Sequence, residues 1–451
     1  MVKIHAMNDL DFFKDIFFKI KEKVDTHTDI EIFGSSTNET SVAWSEGKLE
    51  DFVTSDSKGI GLKVIKNGKI GFSYTNNFDK SSIEDLTFSA LKNAEFLKQD
   101  KYLILALPSK TQPELDVADN SYGLEPIEKR ISMLKEMEIF ALSNKKIKSV
   151  LRAGYSESLG ETIIINSKGL ERFAVGTVFS YGLSCVASDN NEIQVGGEGT
   201  VKRISAEVDF KETTNIAIEN AVKLLGAKRV KTGNYPIILN QAVSCDFLNL
   251  FESSFSAFSV QKNVSLLKGK LNQKICSETL NIIDDGTLPS GVATSSFDDD
   301  GTPTQKTIIF ENGILKNYLY DLYTANKDNT KSTGNASRSY SGLSVPAPTN
   351  IYIQRGTMTF DQLVRNMNNG LYITEIMGMH NADSISGEFS VGVNGFLVEN
   401  CEIKYPVHGI TIAGNILKLF NDIINIGNDL KFYGSVGSPS IFVSSLSVAG
   451  E

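Results

Sequence analysis

Apolar residues first recur at three- and four-residue spacing, through Phe12, Phe13, Ile16, Phe17, Ile20 and Val24, with Lys14, Asp15, Lys21 and Glu22 falling elsewhere. That period predicts an amphipathic opening helix, with Asn8 as its N-cap. The pattern then becomes β-like in IEIFG after Asp29, TSVAWSEGKLEDF at 40–52 and GLKVIKNGKIGFSY at 61–74. Asn67-Gly68 splits the last run, and because both residues adopt positive φ cheaply the run reads as a hairpin. Ser82 and Asp85 start a second helix whose apolar stripe is Ile83, Leu86, Ala90, Leu91, Ala94 and Leu97. Helix, antiparallel strands and helix together make an α+β layer.

The polar stretch from Pro108 to Asn120 has neither period and reads as a linker. Pro126 then opens a helix marked by Ile127, Ile131, Leu134 and Ala141, strands follow around 149–209, and a further helix ends at Gly226. The basic KRVKTG at 228–233 reads as a solvated connector. NQAVSCDFLNLFESSFSAF at 240–258 predicts one packing helix with Val243, Phe247, Leu250, Phe251, Phe255 and Phe258 on its stripe. Strands dominate the rest, including the Asn312-Gly313 hairpin and the runs TNIYIQRG, GLYITEIMG and GFLVENCEIKYPV, and NILKLFNDIIN predicts a late helix stopping at Gly427. The expected fold class is therefore α+β in three parts. Residues 1–110 and 120–228 form α+β domains with helices on antiparallel sheet, and 232–451 form a larger strand-rich domain. No short-period repeat of the solenoid kind occurs.

Composition narrows the function classes. The 451 residues are 41% hydrophobic and 22% charged, ordinary globular usage. A formal charge of -9 gives no general attraction to phosphate backbones or anionic lipid, so neither a nucleic-acid nor a membrane partner is expected. MVKIHAMNDLDFF lacks a signal-peptide pattern, and no run approaches ~18 apolar residues, so the cytoplasm is the expected compartment. Cys185, Cys245, Cys276 and Cys401 form no CxxC pair and fit ordinary side chains in a reducing compartment.

Hydrolytic zinc chemistry usually takes three protein ligands, two of them commonly histidines one turn apart on a helix. The only histidines are His5, His27, His380 and His408, and none is followed by Glu, so HExxH and HExxxH are both missing. Ser253, Ser254 and Ser256 lie in no GxSxG elbow and have no nearby His as base. Asp298, Asp299 and Asp300 before Gly301 lack EF-hand spacing and read first as a solvated turn. GIG at 59–61 and GGEG at 196–199 belong to no phosphate-binding GxxxxGK[ST] loop.

Three ordered blocks in the second half, FDDDGTPTQKTIIFENGILKNYLYDLYTA at 297–325, STGNASR at 332–338 and SGEFSVGVNGFLVENCEIKYPVHGITIAGNILKLF at 386–420, resemble the TldD/PmbA family. SEGKLEDFVTSDSKGIGLKVIKNGKIGFSYTNN at 45–77 resembles that family's first domain, so the likeness spans nearly the whole chain. TldD-type members carry an HExxxH zinc helix and PmbA-type members, also called TldE, lack it; the two pair into a peptidase acting on unfolded peptides. This chain resembles the PmbA type. The resemblance places the 240–258 helix where the TldD metal helix lies. It implies no catalytic or metal-ligating residue in this chain, with zinc in a TldD-like partner. It also implies a heterodimer with that partner, or else a homodimer, and unfolded peptide as substrate. Peptide could be gripped by strand addition in the strand-rich C-terminal domain, with Phe297, Asp298, Asp300, Gly301, Gly334 and Asn335 as the substrate-binding candidates. Cys401 departs from the glycine usual in the family's ENG turn. Two other readings stand beside this one. The first is a self-sufficient homodimeric hydrolase using Asp298 to Asp300 or His380. The second is a regulatory protein binding DNA gyrase, the activity in the family's other label.

Overall fold

The computed structural model describes every residue except 1, 110–112, 114, 116 and 191, and of residues 2–8 the backbone only. The expected linker therefore lies partly outside the described residues; its described positions up to Asp119 are in neither helix nor strand.

The first helix, α1 (Val2–Lys21), starts ahead of Asn8, whose side chain lies outside the described residues. Asn8 is thus inside the helix and not its cap: no Gly or Pro interrupts Lys3 to Met7, so nothing stops the turn from extending backwards. The β-like runs merge into two long strands, β1 (Asp29–Ser45) and β2 (Lys48–Lys66), joined at Glu46-Gly47, and Asn67-Gly68 leads to β3 (Lys69–Thr75) with φ of 52° and 71°. Helix α2 (Lys80–Phe96) begins slightly before Ser82, because Asp79 provides the cap by accepting from the Ser82 N–H at 2.7 Å. Next come α3 (Ile127–Leu142), β4 (Ile147–Asn166), β5 (Glu171–Asp189), β6 (Glu192–Lys202) and α4 (Phe210–Val222).

The six strands form one antiparallel sheet in the order β3-β2-β1-β4-β5-β6. β1 pairs with β4 from Glu31 opposite Asn166 to Trp44 opposite Ala153, so hydrogen bonding joins the segments on either side of the polar stretch. Strand alternation separates the faces. Ile30 and Ile32 pack with Phe13 and Ile83 under α1 and α2, and Val42 and Trp44 pack with Leu134 and Ala217 under α3 and α4. Phe33 and Ile164 face the other way and meet Phe297 of the C-terminal segment.

That segment contains β7 (Gly233–Leu239), α5 (Gln241–Glu252), α6 (Ala257–Gln261), β8 (Ile282–Asp285), β9 (Lys306–Glu311) and β10 (Ile314–Leu315). It continues with α7 (Leu322–Lys327), β11 (Ala336–Ser337), β12 (Val345–Pro346), β13 (Ile351–Ile353), α8 (Phe360–Met367) and β14 (Gly370–Met377). The last elements are β15 (Glu388–Glu399), β16 (Glu402–Asn415), α9 (Ile416–Asn421), β17 (Ile423–Ile426), β18 (Lys431–Tyr433), β19 (Val436–Ser438) and β20 (Ile441–Ala449). The 240–258 helix is broken: a 3-10 turn at Ser253–Phe255 and extended Ser256 separate α5 from α6. The late helix ends at Asn421, and the β-branched pair Ile423-Ile424 starts β17 instead. Asn400 and Cys401 both hold positive φ, 55° and 64°, in the β15–β16 turn.

β16 pairs with both β15 and β20, so β16, β15, β14, β7 and β20 close into a ring, with β17 attached to β20. A second sheet, β10-β9-β8-β13-β19-β18, lies across α5, and both sheets contribute to one apolar core. The ring closes only through Thr411–Ala413 of β16, so the outer side of that strand from Glu402 to Ile410 has no strand partner beyond the single bridge between Lys228 and Val407. Further long unpaired edges among the described residues lie in the N-terminal sheet, along β6 and along β2 before Ile60. No helix among them is long and apolar enough to cross a membrane.

Candidate functional site

The FDDDG segment is a buried clamp, contrary to the solvated turn its composition suggests. Asp298 and Asp300 are 5% and 3% exposed, because the open face of the N-terminal sheet docks on them. Asp298 Oδ1 accepts from the N–H groups of Asp300 (3.0 Å) and Thr302 (2.9 Å), and its Oδ2 accepts from Ala336 N–H (3.0 Å). Gly301 has φ 85°, and a Cβ there would run into Leu170, so both its conformation and its space demand glycine. Phe297 anchors the turn against Phe33 and Ile164.

The STGNAS segment lies directly against it. Gly334 has φ 74°, and a Cβ would stand 2.5 Å from the Pro303 carbonyl oxygen. Asn335 Nδ2 donates to Asp284 Oδ2 (2.7 Å) and to the Ala347 carbonyl (3.0 Å), while Asp284 also accepts from Thr349 N–H (2.6 Å). The six candidate residues sit in two adjoining loops, but Asp300 turns toward Lys63, Leu322 and Ser344 and, with Gly301, lines no part of the cleft described below, while Asp298 uses its carboxylate to hold backbone.

Sequence reasoning missed the ionic network beneath them. Glu31 Oε1 lies 2.7 Å from Lys63 Nζ and 2.9 Å from Arg338 Nη2, and Lys63 Nζ is 3.9 Å from Asp300 Oδ1. The Arg338 guanidinium covers the Phe33 ring at 4.4 Å. Asp300 Oδ1 also accepts from Ser344 Oγ (2.8 Å) and its Oδ2 from Leu322 N–H (3.2 Å). Burial pushes the Asp300 pKa up, but the charges of Lys63 and Arg338 outweigh it and hold the group below the usual range. Asp298 moves well above that range, chiefly by burial and then by the Asp300 charge. The available signal was a charged residue between apolar neighbours, Glu31 in IEI and Lys63 in LKV, which alternation alone would have left on a solvated face.

Burial likewise raises Asp284 from 3.8 to about 6. A carboxyl raised on folding binds its proton more tightly in the folded chain, so it favours folding as pH falls and costs stability as pH rises through about 6. Wild type should therefore gain about 1 kcal/mol more stability than Asp284→Asn between pH 7.5 and 5. Urea midpoints at the two pH values measure the difference; equal gains would disprove the role of Asp284.

Between the sheet face and the two loops lies a cleft of about 450 Å³. Asp298, Asp299, Gly334 and Asn335 form one wall, and Thr37, Ser158, Gly160 and Thr162 form the other. Nothing lies within 4 Å of a Cβ placed on Gly160, so a ligand backbone can approach closely there. Helix α5 contributes nothing to this cleft. Its Phe251 stacks on Phe420 at 5.4 Å and meets Phe255 edge-on at 4.8 Å, all three fully buried. Among the described residues no three His, Cys, Asp or Glu side chains are grouped to hold a metal ion, and the aromatic inner face of α5 does not fit zinc.

The matches of this helix-backed sheet and its ring-forming partner domain to known sequences fall in a metallopeptidase class. Models of the PmbA/TldA metallopeptidase domain 1, central domain and C-terminal domain match residues 30–94, 123–225 and 232–450. The chain belongs to the PmbA/TldD family. An uncharacterized Methanocaldococcus jannaschii protein is 35% identical over 94% of this chain and 96% of its own. Metalloprotease PmbA of Escherichia coli O157:H7 is 26% identical over 93% of this chain and 92% of its own. A Thermotoga maritima crystal structure, described as a candidate modulator of a DNA gyrase, superposes with a TM-score of 0.89 at 30% identity, covering 97% of this chain and 99% of that one.

Proposed function

We propose that this chain is the peptide-holding, metal-free subunit of a two-chain cytoplasmic peptidase whose zinc site lies on a TldD-like partner. One observation carries the reading. The cleft is walled by locked side chains of the two loops, while the helix that the resemblance puts in the place of the family's metal helix is packed with phenylalanines. Its walls offer hydroxyl and amide groups to an extended main chain, together with a glycine where backbone can come close. Activity then requires the second chain. Metal analysis of the purified protein should find less than stoichiometric zinc, and an unfolded peptide should be cleaved only after a TldD-like partner is added. Stoichiometric zinc with cleavage by the isolated chain would overturn the reading in favour of a self-sufficient hydrolase.

The description of the Thermotoga maritima neighbour favours a second reading, regulation of gyrase by protein contact. A charge of -9 disfavours direct DNA binding. Salt-stable capture of gyrase by this chain, with no TldD-like protein recovered, would support that alternative.

A further inference from the structure

We infer that Arg203 anchors the C-terminal carboxylate of a peptide lying in the cleft, an assignment that rests on the peptide-holding reading above. Arg203 follows β6 and reaches the cleft beside Val292, Ala293 and Thr294. Its Nε donates to the Gly291 carbonyl (3.2 Å) and its Nη2 to the Thr294 carbonyl (2.9 Å), while its own carbonyl accepts from Thr177 Oγ1 (2.9 Å). These contacts fix the plane of the guanidinium. Its Nη1 has no acceptor among the described residues and lies against Gly176, where any Cβ would strike it.

The charge is uncompensated. Two deeply buried arginine side chains have acidic partners, Arg130 with Glu125 at 2.6 Å and Arg338 with Glu31 at 2.9 Å, whereas the half-buried Arg203 has none among the described residues. No carboxylate among the described residues pairs with Arg203, and burial alone draws its pKa down to about 10, so it remains a cation at neutral pH. The acids that share the cleft are committed elsewhere, Asp298 to three backbone N–H groups and Asp299 to the Arg338 N–H at 2.8 Å. A half-buried, immobilised guanidinium with a spare N–H pair is a good receptor for a carboxylate. The cleft is in the size range of small-ligand pockets, so a terminal residue or two can enter. An arginine serving only to pin the 291–294 loop would show no preference between free-acid and amidated ligands.

The test uses the full chain and an N-terminally fluorescein-labelled tetrapeptide, Gly-Ala-Leu-Ala, as free acid and as C-terminal amide. Anisotropy should show the acid binding at least about tenfold tighter, the scale of a charge-assisted hydrogen bond. Arg203→Gln should bring the acid to the affinity of the amide, and Arg203→Lys should keep part of the preference. Equal affinity of acid and amide for wild type overturns the anchor and leaves peptide holding intact. Binding of neither, with or without a TldD-like partner, defeats peptide holding itself. The anchor is then decided by phenylglyoxal modification followed by mass spectrometry. Protection of Arg203 by N-acetylalanine but not by its amide supports it, and no protection overturns it.

Discussion

Glu31→Ala is expected to cost about 3–5 kcal/mol of unfolding free energy, the scale for breaking a buried ion pair from one side. Glu31 is 1% exposed and stands between Lys63 and Arg338. Removing it takes away the shared partner of two cations: the Lys63–Asp300 separation of 3.9 Å is too long to replace the lost contact, and Asp299 and Asp321 act on the Arg338 and Lys63 charges only through space. The N-terminal sheet should then part more readily from the loops that form the cleft. A lowered urea midpoint measures the loss. Replacing Glu31 and Lys63 together by leucine should restore part of it, because the penalty comes from the stranded charge. A loss below about 1 kcal/mol would mean that water enters the site and screens the cations.

Phe251→Ala is the second large effect, about 3–5 kcal/mol, as for buried aromatic truncations that leave a cavity. Phe251 is fully buried, and its ring touches Phe255, Phe310 and Phe420, so no single neighbour can collapse into the space. The residue lies on α5, which contributes no wall to the cleft. Stability should therefore fall while peptide affinity, measured well below the unfolding midpoint, stays within about twofold. A selective loss of peptide affinity in a stable variant would show that α5 takes part in binding, contrary to the purely packing role its aromatic face indicates.

Where local chemistry is decisive, the sequence by itself determined the outcome. The turns at Asn67-Gly68 and Asn312-Gly313 lie where the dipeptides stand, with positive φ at all four residues, because few other pairs accept that backbone. The apolar stripes of the first two helices and the α+β character follow from periodicity. Boundaries fared less well. Asn8 and Ser82 are plausible caps, but the helices extended through both, and a cap preference of about 1 kcal/mol is easily outweighed by packing and flanking residues.

The burial of polar groups was decided only by the tertiary structure. Glu31 and Lys63 face each other because β1 and β2 pair in that register, and Arg338 joins them because a distant loop docks on the same sheet face. The DDDG run has the composition of a solvated turn and becomes a buried clamp for the same reason. A charged residue carries no local mark of its future partner: the free energy of burying it depends on which opposite charge or N–H group the fold brings within about 3 Å. The sequence therefore determined the elements and the family likeness, and the docking of the two halves created the cleft and left Arg203 in it without an acid.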